Sequence, residues 1–316
     1  MAAQYDNRIS LQKLEVFCLV VELGGVSRAA EHLIVAQPVV TAHVQSLQKR
    51  LGVKLLYRDG HRMRLTDGGE RVYEWARETL SRTRELMRDL DGLAEGQRGT
   101  VAVSASMTVG SYLLPSMLAT FRQSRPRAAI ALTVSDPEHA LDAVEQGDSD
   151  FAVLVADAPP DSAALCAEVV GEEEIVLVAA PDFEPALASV PMAALTDLPL
   201  VSSPGGHRRS LIDHRLADHG VRLRNVAIEL GHPEAMKRAT RDGLGMCLLF
   251  RASVERELAD GELRRVELSD GELSVPLMVV LRVGKRLSPI QCELLDAVKH
   301  GVRERSPAPR RDVVPA

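Results

Sequence analysis

Two short apolar stripes at helical spacing lie end to end near the N-terminus, Val26, Ala29, Ala30, Leu33 and then Val40, Val44, Leu47, Leu51. Ile34-Val35-Ala36 links the two helices these stripes predict and is too short for anything but a tight turn between packed helices. A preceding stripe, Leu11, Leu14, Phe17, Cys18 and Val21, predicts a first helix that Gly24-Gly25 stops. The segment "QPVVTAHVQSL" opens the third helix and places the uncharged hydrogen-bonding side chains of Gln37, Thr41 and Gln45 away from its apolar positions. Three short helices, the last with a polar outer face, make a helix-turn-helix.

The segment "LLYRDGHRMRLT" then gathers Arg58, His61, Arg62 and Arg64 around Asp59-Gly60, a hairpin signal, and reads as a basic wing. From Asp67 to about Leu93, Val72, Ala76, Thr79, Thr83, Leu86, Leu90 and Leu93 alternate steps of four and three, which is a heptad seam. A helix of that length spans roughly 40 Å. A second copy of the same helix is the expected partner for the seam; packing against its own domain is the alternative. Gln97-Arg98-Gly99 reads as a linker.

Beyond it the pattern changes to short apolar runs separated by helical ones. The runs are Thr100–Ala105, Ala129–Val134, Phe151–Ala156, Glu174–Ala180, Pro199–Val201, Val226–Leu230, Met246–Phe250 and Val275–Val283. This predicts an α/β class with parallel sheets. Glu172-Glu173-Glu174 reads as a solvated hinge, and the Arg- and Pro-rich tail 302–316 as disordered.

Charge is placed unevenly. Residues 1–66 hold nine Lys or Arg against five Asp or Glu, a net +4, while the whole chain carries −6. A basic N-terminal module on an acidic remainder suits polyanion binding. No run reaches the roughly 18 apolar residues of a membrane helix, and "MAAQYDNRIS" lacks the features of a signal peptide. A cytoplasmic location and no membrane partner are therefore expected. Cys18, Cys166, Cys247 and Cys292 show no metal-binding or disulfide spacing and have mostly apolar neighbours, as buried thiols do. Neither a phosphate-binding glycine loop nor a G-x-S-x-G elbow occurs, so no catalytic residue, cofactor or metal is expected.

The stretch "LEVFCLVVELGGVSRAAEHLIVAQPVVTAHVQSLQKRLGVKLLYRDGHRMRLTDGG" resembles the signature of the LysR-type transcriptional regulators over almost its full length. "SASMTVGSYLLPSMLATF" is similar to the start of the effector domain in the branch with cysteine-regulon and carbon-fixation-operon regulators, and "ELGHPEAMKRATRDGLGMCLL" to its second-subdomain motif. The resemblance implies an α/β effector domain of two periplasmic-binding-protein-like subdomains, preceded by an all-α winged helix-turn-helix domain and a long linker helix. The expected limits are 1–66 for the DNA-binding domain, 67–96 for the linker helix and 97–301 for the effector domain. Subdomain one comprises 97–171 and 272–301, and subdomain two 172–271. The implied partners are double-stranded DNA with an interrupted palindromic operator, a small-molecule effector, further copies in a homodimer or homotetramer, and RNA polymerase as a candidate.

The residue chemistry gives these sites content. Gln37 offers a donor and an acceptor that match adenine in the major groove. Pro38 stiffens the first helical turn and presents its ring to a thymine methyl. Thr41 follows one turn later. Where the family commonly has Arg then Gln, this chain has Ala42 and His43, and His43 is the candidate contact there. Ser27 and Arg28 suit a phosphate, and Arg58, Arg62 and Arg64 the backbone or minor groove. In the effector domain, Ser104, Ser106 and Thr108 follow the first strand and precede a helix near Gly110, a setting for a small anion. Across the cleft "SSPGGHRRS" supplies His207, Arg208 and Arg209, and His232 opens a later helix as cap or ligand contact. His207, His214 and His219 are not spaced to share one helix face as metal ligands.

Overall fold

α1 (Leu11–Glu22), α2 (Val26–Leu33) and α3 (Gln37–Leu51) are followed by a hairpin of β1 (Leu56–Asp59) and β2 (Arg62–Leu65) and by α4 (Asp67–Ala94). They form the N-terminal of two units. The computed structural model describes residues 9–60, 62–94, 99–185 and 187–305, with backbone alone at 62, 89 and 91–94. Leu14, Phe17, Ala29, Ala30, Val40, Val44 and Leu47 close one core, to which Leu55, Leu56, Ala76 and Leu80 add. α1 is wetter at its start and drier in its middle than its sequence stripe predicts. Leu11 is exposed, and Val16 and Val20 are buried instead.

The turn between α2 and α3 contains a strained residue. Ile34 ends α2 at φ 55° and ψ 44°, a left-handed conformation that penalises a β-branched side chain. Its side chain is 92% exposed, so no burial offsets the strain. Ile34→Asn is expected to raise stability by about 1 kcal/mol, read as a higher urea midpoint. An unchanged or lower midpoint would mean that the isoleucine makes a compensating contact.

The wing is held from both sides. Gln48 Oε1 accepts the Leu55 N–H at 2.8 Å, while Thr66 Oγ1 donates to the Lys54 carbonyl at 2.5 Å and caps α4 by accepting the Gly69 N–H at 3.0 Å. The α4 seam divides. Val72, Ala76 and Leu80 join the helix-turn-helix core, whereas Leu86, Met87 and Leu90 are each about half exposed. The first half thus follows the alternative reading, packing against its own domain.

In the C-terminal unit β3 (Thr100–Ser106) leads through a π-helical turn (Val109–Leu113) into α5 (Leu114–Ser124). β4 (Ala129–Ser135), α6 (Pro137–Glu145), β5 (Phe151–Val155), β6 (Leu165–Ala179) and β7 (Ser189–Val190) follow. Then come β8 (Leu200–Ser202), α7 (His207–Asp218), β9 (Val226–Glu229), α8 (Pro233–Arg241), β10 (Met246–Phe250) and α9 (Arg251–Ala259). β11 (Arg264–Leu268), β12 (Leu273–Arg282) and α10 (Pro289–Arg305) complete the unit.

The strand order is β4-β3-β5-β12-β6-β10-β8-β9, with β11 against β6 and β7. Pairing is parallel within β4-β3-β5 and within β10-β8-β9, as the sequence predicts. The centre corrects that expectation. β12 runs antiparallel to β5 and β6, and β10 and β11 antiparallel to β6. β6 carries the chain from one lobe to the other and β12 brings it back, so the two must run in opposite directions.

Three further expectations change. Cys166 and Cys292 are exposed, while Cys18 and Cys247 are buried thiols pushed up to about 12 by burial. Glu173 is buried rather than solvated, at 6% exposure. α10 continues to Arg305 with Val302 buried, so 302–305 are helical because the helix packs on the sheet core; residues 306–316 lie outside the described residues. Among the described residues no helix is long and apolar enough to cross a membrane.

Candidate DNA interface and effector cleft

α3 turns Val40, Val44 and Leu47 into the core and leaves Gln37, Pro38, Val39, Ala42 and Gln45 exposed. Ser27 Oγ lies 3.4 Å from Gln37 Oε1, so the start of α2 and the start of α3 meet at one spot. Thr41 Oγ1 donates to the Gln37 carbonyl at 3.1 Å, which leaves its oxygen free to act as an acceptor as well. Arg28 folds back to the Gly24 carbonyl at 3.2 Å while remaining exposed. His43 is half-buried and, at 100° per residue, falls on the opposite flank of α3 from Gln37.

On the wing, the β1–β2 register pairs Asp59 with Arg62 and Tyr57 with Arg64. Alternation therefore puts positions 62 and 64 on one face and Arg58 on the other. Arg64 Nε pairs with Asp59 Oδ2 at 2.7 Å, and Arg58 Nε donates to the Gly60 carbonyl at 3.1 Å. The Arg62 side chain lies outside the described residues, as does His61. Sequence reasoning left Gln45 and Lys49 out of the candidate contacts, although both are exposed on α3 and their four-residue spacing was readable.

The C-terminal unit brings some cleft candidates together and commits others elsewhere. Ser104 is fully buried and its hydroxyl meets Ser149 Oγ at 2.7 Å. Ser106 Oγ accepts the Val155 N–H at 3.4 Å, at the carboxyl ends of β3 and β5. Thr108 is buried at the residue preceding the π-helical turn. From the other lobe, His207 Nε2 donates to the Val155 carbonyl at 2.9 Å. His214 and Arg215 also reach across, to Asp157 at 3.0 and 2.8 Å. α7 is thus clasped to the end of β5, and His207 and His214 are used in the clasp.

The two arginines of this loop differ sharply. Arg209 Nε contacts both Asp213 oxygens at 2.8 and 2.7 Å and its Nη1 donates to Ser202 Oγ at 2.6 Å. Its charge is already balanced. Arg208 donates only to the Gly231 carbonyl at 3.1 Å and approaches Met236 Sδ at 3.5 Å, with no carboxylate pair among the described residues. Burial holds its pKa below the usual arginine value, as expected for a partly desolvated cation lacking a counter-ion. Nearby, Ser203 is buried and its hydroxyl has no partner among the described residues.

His232 acts as a cap, its Nδ1 accepting the Glu234 N–H at 3.2 Å. Sequence reasoning missed the network beside it. Tyr112 of the π-helical turn donates to Glu234 Oε1 at 2.6 Å, and Lys237 joins Glu234 at 2.7 Å and Glu257 at 2.6 Å while lying 5.3 Å from the Tyr112 ring. The Glu234–Lys237 spacing was visible in the sequence, but nothing there pointed to Tyr112.

A family model for the bacterial regulatory helix-turn-helix protein, lysR family, matches residues 11–70, and one for the LysR substrate binding domain matches residues 94–303. The chain belongs to the LysR family of DNA-binding transcriptional regulators, which are not enzymes. It is 30% identical over 301 residues to the uncharacterized HTH-type transcriptional regulator YeiE of Escherichia coli (strain K12), covering 95% of this chain and 98% of that one. A probable RuBisCO transcriptional regulator from a Nostoc species is 31% identical over 264 residues, covering 82% and 78%. Among solved structures, a full-length OxyR variant from Pseudomonas aeruginosa superposes with a TM-score of 0.62 at 20% identity, covering 94% of this chain and 96% of that one.

Proposed function

We propose that this regulator reads an interrupted palindromic operator through the outer face of α3, binds DNA as a dimer or tetramer, and responds to a small anionic metabolite held between the two lobes. Within the chain the DNA-binding domain is taken as 1–66, the linker helix as 67–96 and the effector domain as 97–301. The observation that carries the effector chemistry is Arg208, a half-buried guanidinium with no carboxylate partner among the described residues. A carboxylate, sulfate or phosphate would supply the missing charge. Ser106 and Thr108, at the end of β3, and the Ser203 hydroxyl, which has no partner among the described residues, add hydroxyl groups suited to the same ligand. Arg209, His207 and Ser104 are assigned supporting roles because their polar groups already have protein partners.

Calorimetry against a panel of small carboxylates, phosphates, sulfate and neutral apolar compounds tests this directly. Thr108→Ala is expected to cost about 0.5–3 kcal/mol of effector affinity, and Arg208→Ala the upper part of that range because its bond is to a charge. Binding of neutral compounds alone, or anion affinity that survives both substitutions, would remove the assignment. RNA polymerase is a candidate macromolecular partner in that response.

The exposed half of the α4 seam supports self-association, since Leu86, Met87 and Leu90 form an apolar patch that a second α4 would cover. Leu86→Glu with Leu90→Glu is expected to shift the protein to smaller species in sedimentation and to weaken cooperative DNA binding. An intact oligomer with unaltered binding would place the interface elsewhere.

A further inference from the structure

β6 and β12 are the strands that join the two lobes, and their ladder is interrupted beside one buried carboxyl. The register slips between Leu277 and Met278, which face Gly171 and Val169, and Pro276, opposite Glu172, has no N–H to give. Glu173, opposite Val275, comes next along the strand and is buried. Its Oε1 accepts the Ala252 N–H at 2.7 Å in the first turn of α9. α9 packs on β10 and β11 in one lobe, and α10 packs on α5 and β3 in the other.

A pocket opens beside Glu173 between α9, the end of α10 and Leu113 of the π-helical turn, and five carboxyls face two arginines across it. β6 contributes Glu172, which bonds Ser274, and Glu174, held by Arg251 at 3.2 Å and by Arg265 of β11 at 2.7 Å. α9 contributes Arg251 and Glu255. α10 contributes Glu304, paired with His300 at 3.2 Å, and Arg305, paired with Glu255. Val275 of β12 and Leu113 add no charge. Both arginines lining the pocket thus already hold other carboxylates, and Glu173 has no cation partner among the described residues. The Arg305–Glu255 pair ties α10 of one lobe to α9 of the other. Burial pushes the Glu173 carboxyl up to about 7, while the Ala252 N–H, Arg305 and Arg251 pull it the other way.

We propose that the proton on Glu173 is a switch that sets how the two lobes stand to one another. With the proton on, Glu173 holds only the Ala252 N–H, and Arg305 stays on Glu255. With the proton released through the pocket to water, the buried charge draws Arg305 off Glu255, and the ion pair that ties the lobes is exchanged. The interrupted ladder beside Glu173 lets the lobes follow. The anion site proposed above lies between the same lobes, so its affinity is expected to change with the switch; the switch itself does not rest on that reading, and its test contains no effector.

The test is energy transfer between two dyes on the full chain, attached at Arg122→Cys in α5 and Arg256→Cys in α9, both exposed positions, with Cys166→Ser and Cys292→Ser removing the exposed native thiols. Labelled chain is diluted into excess unlabelled chain, so that only dyes on one chain report. Transfer is expected to change with pH in a single titration with its midpoint near 7. Glu173→Gln should be flat at the low-pH value, and Arg305→Gln should lose the change. Arg251→Gln removes a cation that favours the ionised carboxyl and should move the midpoint up. His300→Gln should leave the titration as it is. A flat wild-type titration, a change that persists in Glu173→Gln, or one that disappears in His300→Gln would overturn the proposal. A midpoint that Arg251→Gln leaves in place would also overturn it, and a change that survives Arg305→Gln would overturn the exchange of ion pairs on which it depends.

Discussion

Gly69→Ala is expected to cost roughly 3 kcal/mol and to displace the wing, while Gly68→Ala, one residue earlier, is tolerated. Both glycines lie in the first turn of α4. A Cβ on Gly69 would stand 2.0 Å from the Leu55 carbonyl oxygen and 3.0 Å from its carbon. On Gly68 the nearest atom would be Val53 Cγ2 at 3.7 Å, an ordinary contact. Over-packing typically costs 1–3 kcal/mol, and a clash with backbone rather than a flexible side chain belongs at the top of that range. The same Leu55 oxygen accepts the Thr66 N–H at 3.0 Å, so moving it loosens the junction between hairpin and helix. For a unit of this size the loss corresponds to a drop in melting temperature on the order of 15 °C. DNA affinity should fall with it, because the wing basic residues shift. Equal melting of the two variants would mean that the wing and α4 do not pack as described.

Glu173→Gln is expected to remove a pH dependence of stability worth roughly 3 kcal/mol. Glu173 sits where β6 crosses between lobes, and burial pushes its carboxyl up from 4.5 to about 7. Its Oε1 accepts the Ala252 N–H at 2.7 Å at the start of α9. Glu174 beside it pairs with Arg251 at 3.2 Å and Arg265 at 2.7 Å, Glu172 bonds Ser274, and Arg305 pairs with Glu255. Between pH 4.5 and about 7 the folded protein keeps a proton that the unfolded chain releases. Stability therefore falls as pH rises through that window and levels off above it. Glutamine keeps the acceptor for Ala252 without the charge. Urea unfolding should give matching stabilities near pH 4.5 and a more stable variant at pH 8; parallel profiles for the two proteins would contradict the buried-carboxyl account.

What the sequence conveyed and what it withheld divide by range. The stripes Val40-Val44-Leu47 and Ala29-Ala30 are local periodicities, and each lands in the core. The wing was legible from Asp59-Gly60 for the same reason. Strand direction was not, because whether β12 runs with or against β6 depends on partners about a hundred residues apart. The first half of β6 escaped notice because Glu168, Gly171 and the three glutamates that follow interrupt its apolar residues. At the cleft, residue type alone could not separate Arg208 from Arg209. The four-residue spacing to Asp213 hinted at one ion pair, but the Val155 contact of His207 and the Tyr112–Glu234 bond join residues 52 and 122 positions apart.

The account turns on α3 reading bases, and Gln37→Ala on a duplex selected by the full chain from a random library tests that most directly. Fluorescence anisotropy of the full chain, on the selected duplex and on a random duplex at the same salt, should show a loss of roughly 1–3 kcal/mol on the first and none on the second. Equal losses on both duplexes, or none on either, would contradict a base-reading role for this helix.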